Sequence, residues 1–191
     1  MDKQFLEWLA AITGLISVIL TARRSVMSWP IGLISVVIFL WFFFHIKLYA
    51  DSGLQLFYLV TGLYGWWHWA RGGPNHGKAL IKVLVSMERA VVAVLTAGGI
   101  VGTSWFLRNH TDSTTPWMDS TVSVMSIAAQ LLMMRKILDS WFLWIVIDML
   151  SLWLYAMKGA WVTLGLHAIY LGIATGGLIA WRRALARGER I

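Results

Sequence analysis

The run WFLWIVIDMLSLWLY, residues 141–155, sets one carboxylate, Asp148, in the middle of an apolar and aromatic segment. In a helix, Trp141, Trp144, Asp148 and Tyr155 fall at i, i+3, i+7 and i+14, a single narrow stripe. Two indoles, an acid and a phenol on one face can stack a flat ring, attract its charge to their π-faces and pair with it. Hydrogen-bonding side chains recur at other interior positions. Gln130 is one; Gln55 and Tyr58 share a helical face with Gly62, Trp66 and Trp69; His167 and Tyr170 lie near the C-terminus. Gln, Tyr and His bond amide and hydroxyl groups and so fix orientation. The combination suits a small polar molecule with a flat, positively charged ring. The same groups would also serve as a seam between helices, each worth under about 1–2 kcal/mol.

Which reading applies depends on the medium around these segments. Hydrophobic residues make up 59% of the 191, charged residues only 13%, and there are thirteen Trp. Soluble domains carry about a quarter charged residues, so lipid must cover part of this apolar surface. The expectation is an all-α polytopic membrane protein. Apolar runs long enough to cross about 30 Å at about 1.5 Å per residue lie near 6–22, 29–48, 53–70, 88–107, 118–134, 141–157 and 160–181. The opening MDKQFLEWLAAITGLISVILTARR lacks a signal-peptide cleavage pattern and reads as the first span.

A shift of 112 positions lays residues 7–71 over 119–183 without a gap. Trp29, Trp41 and Trp69 then meet Trp141, Trp153 and Trp181, and Arg23 and Arg71 meet Arg135 and Arg183. Gly65 meets Gly177, Tyr58 meets Tyr170, and Gln55 meets His167. Coincident Trp and Arg pairs are not what apolar bias alone produces. Each copy holds three spans, and matched Arg at equivalent ends implies that both copies point the same way. Parallel copies need an odd number of crossings between them, which one linker helix within 72–118 supplies. The expected plan is seven transmembrane helices, 3+1+3, in a single membrane domain, followed by a basic tail at 184–191.

Twelve of the sixteen Lys and Arg fall on one predicted face, among them Arg23, Arg24, Arg71, Lys136 and Arg190, against Lys3, Lys47, Arg108 and Lys158 on the other. Positive charge favours the cytoplasmic side, so the C-terminus is expected in the cytoplasm and the N-terminus outside. The net charge of +7 is thereby assigned to lipid headgroups rather than to nucleic acid. GGPNHGKA (72–79) approaches a phosphate-binding loop, but Ala79 stands where a Mg²⁺-binding hydroxyl is needed and no strand precedes it. The five His are scattered, there is no Cys and no G-x-S-x-G run, so neither a metal centre nor a serine hydrolase is expected. No cofactor is expected either. A sugar carrier built on the same helix plan would carry Asn and Trp pairs at the midplane and lack the aromatic–acid stripe.

With these residues in view, the chain resembles the PnuC family of bacterial vitamin transporters. The resemblance rests on 29–69 and 126–171, most specifically on WxxWxxxD at Trp141, Trp144 and Asp148, where relatives carry Asn or Asp. The run LYAD…LQ…YGWW from Leu48 to Trp67 is a second marker. The resemblance implies a multi-pass protein of the inner membrane and a pocket between two triple-helix repeats. It also implies a homotrimer that takes up nicotinamide riboside by facilitated diffusion, with a cytosolic kinase trapping the cargo. Thiamine, riboflavin and nucleosides are carried by other members. The substrate contacts it implies here are Trp144, Asp148 and Gln130, then Gln55, Tyr58, Trp41 and His167. Many members carry Tyr or Phe where this chain has His167.

Overall fold

A computed structural model describes residues 3–45, 49–74, 77–111, 115–157, 159 and 161–188. Lys47, Leu48, Lys158 and Arg190 lie outside the described residues, as do Asn75 and His76 of the Gly-rich loop. The described residues form seven α-helices: α1 (Lys3–Ala22), α2 (Ser28–His45), α3 (Tyr49–Arg71), α4 (Ser86–His110), α5 (Pro116–Met134), α6 (Ser140–Met157) and α7 (Trp161–Ala186). Each expected span falls on one of them. Four, namely α2, α4, α6 and the Thr163–Ala186 stretch of α7, are long and apolar enough to cross a membrane. α7 overruns its expected end at 181, because Arg182–Ala186 are good helix formers and Ala184 is buried.

The chain divides into two compact units. The first comprises Met1–Ile81, Met134–Lys136 and Ile179–Ile191; the second comprises Lys82–Met133 and Ile137–Leu178. In the first unit α1 packs on α2 and α2 on α3. Apolar side chains gain little from meeting one another in lipid, so small residues and hydroxyls join such helices. Ser35 donates to the Ala10 carbonyl at 2.8 Å and Ser17 to that of Ser28 at 2.7 Å. A methyl on Gly62 would strike Leu33, and one on Gly65 would enter the six-membered ring of Trp29.

The second unit has its own version of that last contact. A Cβ on Gly177 would stand 2.8 Å from both Cη2 and Cζ2 of Trp141. Gly65–Trp29 and Gly177–Trp141 are thus the same close approach, 112 residues apart. The turns preceding those Trp are alike as well. Arg24 and Lys136 adopt left-handed φ of 62° and 59°, ending α1 and α5. Ser25 N–H donates back to Leu20 and Ile137 N–H to Leu132, at 2.9 and 3.1 Å. This is the six-to-one bond of a Schellman cap, with a basic residue where Gly is usual.

In the first unit, a buried lysine sits on one member of a cluster of indoles. Trp69 lies edge-on to Trp29 at 5.5 Å and against Trp181 at 5.6 Å, and Trp181 Nε1 donates to the Thr21 carbonyl. The Lys136 ammonium sits 4.9 Å over the Trp69 ring and donates to the Ala79 carbonyl at 2.8 Å. Lys136 is 1% exposed. It therefore does not reach the lipid headgroups to which its charge was assigned. In the second unit Asp139 holds the segment before α4: its carboxylate accepts from the Leu84 amide at 2.9 Å and from Arg89 Nε at 2.7 Å.

The Gly-rich stretch is closed on itself. Gly73 N–H donates to Gly77, Gly77 N–H to Pro74 and Ala79 N–H to Trp69. Those amides are spent within the loop and its preceding helix, whereas a phosphate cradle turns them outward.

Two predictions follow from this packing. Gly177→Ala and Gly65→Ala should each destabilise the protein by about 1–3 kcal/mol through overpacking, read as a lower melting temperature in detergent. Unchanged melting in both would mean that the indoles yield freely. Burial, with repulsion from Arg24 and Lys78, lowers the Lys136 amine from its usual 10.5 to about 8. Between those values the unfolded chain holds a proton that the folded chain has lost, so this residue makes stability rise with pH across the window. Melting followed from pH 7 to 10 should show a wild-type gain that Lys136→Met lacks; parallel curves would contradict it.

Candidate functional site

The helix α6 has two distinct faces. Trp141, Ile147, Asp148, Ser151 and Leu154 are buried, whereas Phe142, Val146, Met149, Trp153 and Met157 are exposed. This 3.6-residue alternation puts the acid on the protein side and the large apolar side chains on the lipid side. Asp148 is the ninth of the eighteen residues of α6 and is only 4% exposed. A carboxylate at such a depth costs roughly 2.5–3.5 kcal/mol on insertion scales, and it requires a partner.

That partner is His167 on α7. Its Nδ1 lies 2.9 Å from Asp148 Oδ1. With the carboxylate ionised it can only accept, and the imidazole then donates a hydrogen from Nδ1. The contact follows from local geometry: Asp148 lies nine residues before the end of α6 and His167 six after the start of α7, so a hairpin brings them within about one helical turn of the same depth. Aromatic rings hold the imidazole. Tyr155 stacks on it at 5.3 Å with 23° between planes, and Tyr170 meets it edge-on at 6.0 Å and 79°. A flat ring able to carry positive charge thus already stands on the acid, between two phenols.

The second unit also contains Trp144 and Gln130, both half-buried. Gln55, Tyr58 and Trp41 belong to the first unit. Gln55 and Tyr58 are half-buried on α3. Trp41 is 47% exposed on α2; its ring lies 4.1 Å from that of His45, whose Nδ1 reaches the Trp41 carbonyl at 2.8 Å. Residue types alone pointed to Asp148 and His167 separately. Their direct bond, and the stacking of Tyr155 on His167, were missed, although the hairpin spacing was a usable signal.

The arrangement does not amount to a nucleophile relay. Ser151, one turn beyond Asp148, is fully buried, but its hydroxyl bonds to neither member of the pair. Among the described residues no three His, Cys, Asp or Glu converge as metal ligands. A buried acid, an imidazole and aromatic faces can instead bind and orient a planar polar guest.

Comparison with known proteins agrees with that chemistry. Residues 4–183 match the family model described as nicotinamide mononucleotide transporter. The nicotinamide riboside transporter PnuC of Escherichia coli is 28% identical over 99% of this chain and 90% of its own length. PnuC of Neisseria mucosa is 29% identical over 95% of this chain and 74% of its own. The riboflavin/roseoflavin transporter RibM of Streptomyces davaonensis is 29% identical over 94% and 85%. A crystal structure of the vitamin B3 transporter PnuC superposes with a TM-score of 0.74 at 27% identity, over 97% of this chain and 83% of that one. The chain therefore belongs to the nicotinamide mononucleotide transporter family, the family of the PnuC membrane transporters.

Proposed function

We propose that this chain carries nicotinamide riboside across the bacterial inner membrane by facilitated diffusion, and that a cytosolic kinase traps the cargo. The observation that carries the reading is the Asp148 carboxylate, buried halfway along α6 and already bonded to a flat nitrogen ring. Nicotinamide riboside is a pyridinium cation bearing an amide and a hydroxylated sugar. Asp148 balances the ring charge, the Trp144 indole stacks on it, and Gln130 reads amide or hydroxyl groups. We assign hydrogen bonding to Gln55 and Tyr58 and stacking to Trp41, each within its own unit.

A second reading has a specific basis in the Streptomyces relative, which is named for riboflavin. Riboflavin and the nucleosides are uncharged, so a buried acid favours a cationic ring over both. Thiamine is cationic and aromatic, and Asp148 does not separate it from nicotinamide riboside. Competition among these ligands for the purified protein separates them.

We further propose the 3+1+3 plan, with repeats at 7–71 and 119–183, all seven helices crossing the membrane, the N-terminus outside, the C-terminus in the cytoplasm, and assembly as a homotrimer. The paired Gly–Trp approaches and the paired left-handed turns, each 112 residues apart, support the repeats. The remaining basic excess at 182–190 supports the orientation.

In calorimetric titration, Asp148→Ala should weaken nicotinamide riboside binding about 30-fold or more while the protein elutes and melts as a folded oligomer. Wild-type affinity would return Asp148 to a role in helix packing alone. Counterflow into proteoliposomes loaded with unlabelled riboside should proceed without a pH gradient. Uptake that appears only when a gradient is imposed would overturn uncoupled facilitation.

A further inference from the structure

The Asp148–His167 contact has a consequence for how a cation is admitted. The imidazole bonds the carboxylate at 2.9 Å and has aromatic neighbours on two sides. Its side chain is 19% exposed and that of Asp148 only 5%. A planar cation seeking the acid meets another planar ring there, itself able to carry one positive charge. Inside a membrane span a second cation beside the same carboxylate would leave an uncompensated charge away from water. Either the guest stays off the acid, or the imidazole gives up its charge.

We propose that protonated His167 is a built-in competitor for cationic cargo, and that the cargo reaches Asp148 by displacing it with release of one proton. The proposal rests on the assignment of a cationic cargo made above. Its balance is simple. The imidazolium–carboxylate pair plus the pyridinium ring gives a pyridinium–carboxylate pair, neutral imidazole and a proton passed to water. One positive charge arrives and one leaves, so the net charge of the site is unchanged. When the cargo departs the imidazole can regain a proton, and the empty carrier resets in either protonation state, so the exchange sets affinity and not a fixed ratio of cargo to protons. His167 thereby acts as a specificity-determining residue: it disfavours cations at low pH and leaves neutral ligands unaffected.

The other titratable groups around the pair do not supply this proton. Tyr155 on α6 and Tyr170 on α7 are phenols, neutral through the histidine range. Asp119, in the first turn of α5, acts electrostatically on Tyr155 and accepts from Thr115 at 3.2 Å. Among these groups the imidazole alone is able to carry positive charge.

The test is calorimetry on the purified full-length protein from about pH 6 to about pH 8, the interval in which imidazoles ordinarily change charge. Titrations in two buffers of different ionisation enthalpy count the protons. For nicotinamide riboside, wild-type affinity should rise with pH by up to about tenfold per unit, with up to one proton released. His167→Gln keeps a neutral donor for Asp148; it should bind with no pH slope and, at the acid end, more tightly than wild type. The uncharged dihydronicotinamide riboside should show no slope with either protein. Wild-type binding that is independent of pH and releases no proton overturns the exchange while leaving the cargo assignment standing. A slope that survives in His167→Gln assigns the proton elsewhere and also overturns it. A protein that binds no nicotinamide riboside at any pH refutes the cargo assignment, and the exchange with it.

Discussion

A carboxylate halfway along a membrane-crossing helix finds no water to solvate it, so protein atoms must supply the compensation. Asp148 imposes that requirement on α6, and the rest of the second unit meets it. The helix must turn its acid inward, which sends Phe142, Val146, Met149 and Trp153 outward. The next helix must return antiparallel through a short join, so that a donor on α7 arrives at the same depth. His167 is that donor, and Tyr155 and Tyr170 hold its ring in place. The pair is the answer to that structural need, because a deep acid requires a donor at its own depth.

The scaffold that holds this pair is built from close approach rather than from apolar bulk. Lipid tails are as apolar as the helices they surround, so the hydrophobic effect does little to select one helix neighbour over another. Selection falls to places where an indole lies against a bare backbone, as at Gly65–Trp29 and Gly177–Trp141. It falls also to hydroxyls that reach a neighbouring carbonyl, as at Ser35–Ala10. Lys136 is a third device: its ammonium ties the loop carbonyl of Ala79 to the Trp69 indole, and the cation–π contact offsets part of what burial costs.

Much of this was legible in the sequence. Apolar runs of the right length located all seven helices, since helix formation in lipid follows from backbone groups having no other partner. The 3.6-residue period along α6 identified its protein-facing side, and the offset of 112 aligned Gly65 with Gly177 and Trp29 with Trp141 without showing that each glycine meets its tryptophan. Residue chemistry alone marked Asp148, and membership of the transporter family bears out the class of function to which that chemistry pointed.

What the sequence could not decide was which side chain meets which. Periodicity tells which face of a helix is covered and not what covers it. Asp148 and His167 are nineteen residues apart, and Lys136 and Ala79 fifty-seven; only the tertiary structure brings each pair within hydrogen-bonding distance. Lys136 looked like one more basic residue at a membrane edge, because charge counting treats every lysine as solvated. Folding left it 1% exposed among indoles. The sequence by itself determined a helical membrane protein with one deep acid that had to be matched. The tertiary structure decided that the match is a histidine, because burial, depth and donor geometry are properties of packed neighbours and not of any single helix.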